Sequence, residues 1–161
     1  MREVGRSGPR DGDGAEQATR ARVLVVDDDP LIREALAAAL DDEGLEPVTA
    51  PDGAAALARL GQQARAGEPP FAAILLDMRM PIMDGWAFAE AYRRLPAPRA
   101  PIVVLTAAQD AVGDLQHLGA RAILAKPFDL DALLAIVDEC VRDGRSGADP
   151  ASDGRMADSA P

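Results

Sequence analysis

Along this chain, short unbroken apolar runs alternate with longer stretches in which apolar residues recur every third or fourth position. Val23-Leu24-Val25-Val26, Ile74-Leu75-Leu76 and Ile102-Val103-Val104-Leu105 are runs of the first kind, the pattern of strands buried on both faces. They stop at Asp27, Asp77 and Thr106. Two weaker runs, Glu46 to Thr49 and Ala122 to Leu124, predict short strands. Between the runs lie helical patterns. Pro30 suits a first helical position, and Leu31, Ile32, Ala35, Leu36, Ala39 and Leu40 line one face of a helix that stops near Gly44. Asp52-Gly53 opens an Ala-rich helix with Leu57 and Leu60 on one face, running to about Arg65. Asp84-Gly85 opens a third, with Trp86, Ala89 and Tyr92 expected inward and Arg93-Arg94 at the end that favours cations. A fourth, roughly Asp110 to Leu118, is weak: Gly113 interrupts it, its stripe is only Val112, Leu115 and Leu118, and Gly119 is the expected stop. The last runs from about Asp129 to Val141 on Leu130, Leu133, Leu134 and Val137.

Strand followed by helix, five times over with short connections, predicts an α/β domain with a five-stranded parallel sheet, doubly wound because crossovers are right-handed. Residues 1–20 hold almost nothing to bury and are expected to be a disordered tail; the domain is expected over 21–142, and 143–161 returns to tail composition. The 161 residues thus suit one core. A net charge of -10, from 17 Lys+Arg against 27 Asp+Glu, argues against a nucleic-acid partner and for proteins or cations. The lone Cys140 excludes an internal disulfide and suits a reducing compartment. No apolar run approaches the ~20 residues that span a bilayer and no signal segment opens the chain, so a cytoplasmic protein with no membrane partner is expected.

The strand ends carry the chemistry. In a parallel sheet Asp27, Asp28, Asp77, Thr106 and the residues around Lys126 fall on one edge, where ligands bind. Asp29 is accounted for as the cap of the first helix, which leaves two acids without a structural role. Carboxylates converging on one edge repel unless a cation sits between them, and an all-oxygen set suits Mg2+. His117, the only histidine, has no partner at ligand spacing. Lys126 is the only lysine. A metal, a carboxylate nucleophile, a hydroxyl and an ammonium together describe a phosphoryl site with Asp77 as nucleophile.

At this point the chain strongly resembles the receiver domain of two-component response regulators. The resemblance covers about Arg22 to Arg142 and rests on Val-Val-Asp-Asp at 25–28, Leu-Asp-Met-Arg-Met-Pro-Ile-Met-Asp-Gly at 76–85, Leu-Thr-Ala at 105–107 and Lys-Pro-Phe at 126–128. It implies a flavodoxin-like receiver fold with strand order 2-1-3-4-5. It further implies Asp77 as phospho-acceptor, with Asp27, Asp28, Asp77 and the carbonyl of Arg79 around Mg2+. Thr106 and Lys126 would contact the phosphoryl group, and the Lys126-Pro127 bond would be cis. The implied partners are a histidine kinase or phosphotransfer protein and a downstream target at the 110–141 face, built from the fourth helix, fifth strand and fifth helix. The family usually has an aromatic residue three positions before the lysine; here it is Ile123, so the acceptor chemistry is expected without the aromatic-rotation step. The expected function is therefore a stand-alone phosphorylated signalling module, not an enzyme. The competitors are a receiver-shaped interaction module that works without phosphorylation and a Mg2+-dependent phosphatase. The phosphatase would need a second acid two residues beyond its nucleophile, where Arg79 stands, and a substrate cap.

Overall fold

The computed structural model describes residues 20–107, 115 and 117–146. Five strands, β1 (Arg22–Val26), β2 (Glu46–Ala50), β3 (Ala73–Asp77), β4 (Ile102–Thr106) and β5 (Ala122–Ala125), form one parallel sheet in the order β2-β1-β3-β4-β5. This is the flavodoxin-like receiver arrangement expected. Four described helices cover it: α1 (Pro30–Asp42), α2 (Gly53–Arg65), α3 (Gly85–Arg93) and α4 (Leu130–Ser146). The expected helix over 110–118 lies outside the described residues except at its end, where Leu115 is helical and buried and Gly119, at φ 74°, takes the left-handed conformation of a helix stop.

The alternation of side chains along a strand explains the two-sided core. Val23, Val25, Leu75, Val103 and Leu105 point to one face, where Leu36 and Leu40 of α1 and Leu133, Val137 and Cys140 of α4 meet them. Leu24, Val26, Ile74, Leu76 and Val104 point to the other, against Ala56 and Leu60 of α2 and Phe88, Ala89 and Tyr92 of α3. Both faces of β3 and β4 are buried throughout, whereas the edge strands β2 and β5 are only partly buried, and β2 admits Pro47. The helices are capped as their sequences suggest: Asp29 accepts from the Leu31 amide at 2.9 Å, Asp52 from Ala55 at 2.8 Å and Asp84 from Ala87 at 2.9 Å.

Three details differ from expectation. Trp86 is 37% exposed, and the buried face of α3 is Gly85, Phe88, Ala89 and Tyr92. Ala89 and Tyr92 are buried as expected, while Phe88 takes the place expected of Trp86, because Gly85, lacking a side chain, lets the helix rest on the end of β3. Arg20, assigned to the tail, donates to Asp41 at 2.8 Å and to the Gly44 carbonyl at 3.3 Å. And α4 continues to Ser146, where Asp143 and Glu139 sit 3.0 and 3.2 Å from Arg121, which precedes β5. No helix among the described residues is long and apolar enough to cross a membrane.

Candidate functional site

Strand direction delivers the site. β1 lies between β2 and β3, and its ladder with β2 runs one residue past the strand, where the Asp27 N–H donates to the Ala50 carbonyl at 3.1 Å before the chain enters the acidic loop. Asp27 is fully buried, Asp77 is 6% exposed and Asp28 is exposed. One carboxylate oxygen from each of Asp27, Asp28 and Asp77 lies within 4.8 Å of the others. Lys126 reaches the same point from the end of β5: its Nζ donates to Asp27 Oδ2 at 3.2 Å and to Asp77 Oδ1 at 3.3 Å. The Lys126 N–H donates to the Thr106 carbonyl at 2.7 Å, so the ends of β4 and β5 are tied. The Lys126-Pro127 bond is cis, as expected.

These groups surround an open depression of about 450 Å³ lined by Asp27, Asp28, Asp29, Pro30, Ile32, Asp77, Arg79, Ala107 and Lys126. Of the residues expected in the site, Asp27, Asp28, Asp77, Arg79 and Lys126 are brought together. Thr106 stands at the rim, 2% exposed, and its hydroxyl donates to the Ala107 carbonyl at 3.2 Å. Ile123 pairs in register with Val104 and packs into the core on the α2–α3 side. Arg33 was missed: its Nη1 donates to the Asp27 carbonyl at 2.7 Å. Its signal in the sequence was a cation near a helix N-terminus, where the dipole disfavours one.

The electrostatics are those of a loaded anion cluster. Burial, then the Asp27 charge, raise the pKa of Asp77, against the opposing pull of Lys126. Burial alone would lower the pKa of Lys126, but the Asp27 and Asp77 carboxylates outweigh it and the net direction is up, so the ammonium stays charged. Asp77 thus ionises less readily than an ordinary carboxyl. A set of carboxylate oxygens this close, with no nitrogen or sulfur donor among them, fits a hard divalent cation such as Mg2+.

The family model for the response regulator receiver domain matches residues 23–138. The chain is 38% identical to the DNA-binding transcriptional regulator NtrC of Escherichia coli over 125 residues, covering 76% of this chain and 25% of that protein. It is 38% identical to the transcriptional regulatory protein PrrA of Mycobacterium tuberculosis over 138 residues, covering 84% of this chain and 56% of PrrA. The chain therefore spans between a quarter and just over half of these relatives. Among solved structures, a response regulator receiver protein from Pseudomonas putida superposes with a TM-score of 0.68 at 32% identity, covering 76% of this chain and 98% of that one. The chemotaxis response regulator CheY4 of Vibrio cholerae gives 0.62 at 34% identity, covering 76% and 99%.

Proposed function

This chain belongs to the response regulator receiver domain family, and from that premise we propose that Asp77 accepts a phosphoryl group from a phosphohistidine on a histidine kinase or phosphotransfer protein. The domain then signals by changed binding to another protein, without DNA contact of its own. Receiver domains are signalling modules, and the acidic composition of this one suits protein partners.

The observation that carries the reading is Lys126 Nζ standing 3.2 Å from Asp27 and 3.3 Å from Asp77 at the open edge of the sheet. An Asp77 oxygen attacks the phosphorus, the phosphorus–nitrogen bond to the donor imidazole breaks, and an acyl phosphate remains. Asp28 and Asp77, with Asp27 behind them and the Arg79 carbonyl beside them, would hold Mg2+. That ion supplies charge neutralisation for the phosphoryl oxygens. Lys126 can leave its carboxylate partners for a new phosphoryl oxygen without leaving the site, because a lysine head on a flexible stem is a movable point charge. Burial keeps Asp77 from being freely solvated and so retains its nucleophilicity.

Incubation with Mg2+ and a small acyl phosphate, followed by intact-protein mass measurement, tests this. One phosphoryl group per chain is expected, lost in Asp77→Asn. An unmodified wild type, or a variant that keeps the adduct, overturns the reading. Ile123 is the one feature favouring a receiver that binds without phosphorylation, and an unmodified wild type would select that alternative.

A further inference from the structure

Asp27 is held at every polar atom. Its N–H donates to Ala50, its Oδ1 accepts from the Asp29 amide at 2.9 Å, its Oδ2 from Lys126 at 3.2 Å, and its carbonyl oxygen from Arg33 Nη1 at 2.7 Å. The last contact concerns Asp28 more than Asp27. The carbonyl belongs to the peptide joining the two residues, and because that unit is planar, holding its oxygen restrains its rotation and with it the direction of the bond from the Asp28 nitrogen to its Cα, where the side chain is attached. Asp28 is the exposed member of the acidic trio.

Arg33 occupies an awkward place for a cation. It is the fourth residue of α1, its own N–H donates to Asp29 at 3.0 Å, and the helix dipole at this end repels positive charge. A surface arginine with no other role would extend into water. This one is half-buried, and it folds back over the first turn, the direction in which helical side chains lean. A guanidinium on a neutral carbonyl also gains the stronger, charge-assisted kind of hydrogen bond.

We propose that Arg33 is a positioning residue for the cation site: by holding the Asp27 carbonyl it orients the Asp28 carboxylate toward Asp77. The inference rests on the reading of the acidic trio as a Mg2+ site, and it makes a prediction of opposite sign to the simplest alternative. If Arg33 acted only as a nearby positive charge, its removal would relieve repulsion and tighten Mg2+ binding. If it positions Asp28, removal loosens the loop and weakens binding.

Calorimetric titration of the full chain with MgCl2 separates the two, alongside thermal unfolding without Mg2+ to establish that each variant is folded. Arg33→Met, which keeps the apolar stem but neither charge nor donor, is expected to bind Mg2+ roughly tenfold more weakly, the usual cost of losing a group that orients a metal ligand. Arg33→Lys, which restores a cationic donor, should recover most of the affinity. Binding by Arg33→Met as tight as wild type, or tighter, overturns the proposal. Should that variant not fold, Arg33→Gln, neutral and too short to span the same gap, must show the same loss. A wild type that binds no Mg2+ overturns the cation site itself, and is thereby distinguished from failure of the Arg33 assignment.

Discussion

At Asp77, burial and the neighbouring Asp27 disfavour the charged form more than Lys126 favours it. A carboxyl with its pKa raised by folding contributes stability below its unfolded pKa and loses it as pH rises through the folded value. Asn carries no such penalty. Asp77→Asn should therefore unfold at a higher temperature than wild type at pH 7.5 in the absence of divalent ions, and the gain should shrink as pH falls toward the ordinary carboxylate range. Adding Mg2+ should reverse the order, since ligand present at 100 times its Kd stabilises the form that binds it by about 2.7 kcal/mol. Thermal unfolding at pH 7.5 and pH 4 checks both halves, and a wild type already more stable without Mg2+ contradicts the sign. The role of Asp28 is separable, because it is exposed and its loss leaves the Asp27–Lys126–Asp77 contacts in place. Asp28→Ala is expected to lower Mg2+ affinity at least tenfold, in the range found when groups around a metal are removed; unchanged calorimetric binding would remove Asp28 from the site.

The site depends on how elements end. An ideal Cβ on Gly85 would lie 2.7 Å from the Asp77 carbonyl oxygen and 2.7 Å from Met78 Cα, both backbone atoms that cannot swing aside. The Gly85 N–H donates to the Met78 carbonyl at 3.1 Å, so α3 starts flush against the end of β3. Gly85→Ala should cost about 1–3 kcal/mol, as overpacking does, and should slow phosphorylation because the adjustment falls on the Asp77 backbone. Chemical denaturation and the rate of adduct formation read the two effects, and an alanine variant that matches wild type in both would show the contact to be slack. Elements were largely legible from sequence because unbroken apolar runs and three-and-four spacing report different burial geometries. Their phase was less so. Trp86 looks like the anchor of α3, yet the anchor is Phe88, since close approach at Gly85 rotates the buried face by packing that no periodicity encodes. In the extra turn of α4 Asp143 pairs with Arg121, distant in sequence, at 3.0 Å, an exposed contact of the kind that contributes little.

Over the whole molecule, the parallel sheet gathers chemistry that the chain scatters. Which edge holds Asp27, Asp77 and Lys126 follows from strand direction and could be read from sequence. That Lys126 comes to the other two is not in the residue pattern, because it depends on the order of the strands, which the resemblance to receivers supplied and the structure bears out. The same order predicts where a signal would go. A phosphoryl group on Asp77 offers Lys126 a new anionic partner and crowds the rim where Thr106 stands. Thr106 closes β4, Lys126 follows β5, and the 2.7 Å bond between them ties the two ends. If phosphorylation moves this pair, the effect is expected on the chain that joins them, residues 107–125, and on the start of α4 beyond. At the opposite edge Arg22 is clamped by Glu68 at 2.8 Å and lies over the Phe71 ring at 4.7 Å, and the four buried residues of β1 separate it from Asp27. Neither contact involves Thr106 or Lys126, so that edge should stay as it is. Hydrogen exchange measured before and after phosphorylation is expected to change in peptides spanning 107–130 and to remain unchanged around Arg22, Glu46 and Phe71, with Asp77→Asn showing neither change. If a fully phosphorylated protein exchanges differently only at the Arg22 edge, or nowhere, then the strand-end pair does not carry the signal and the 110–141 face is not its output.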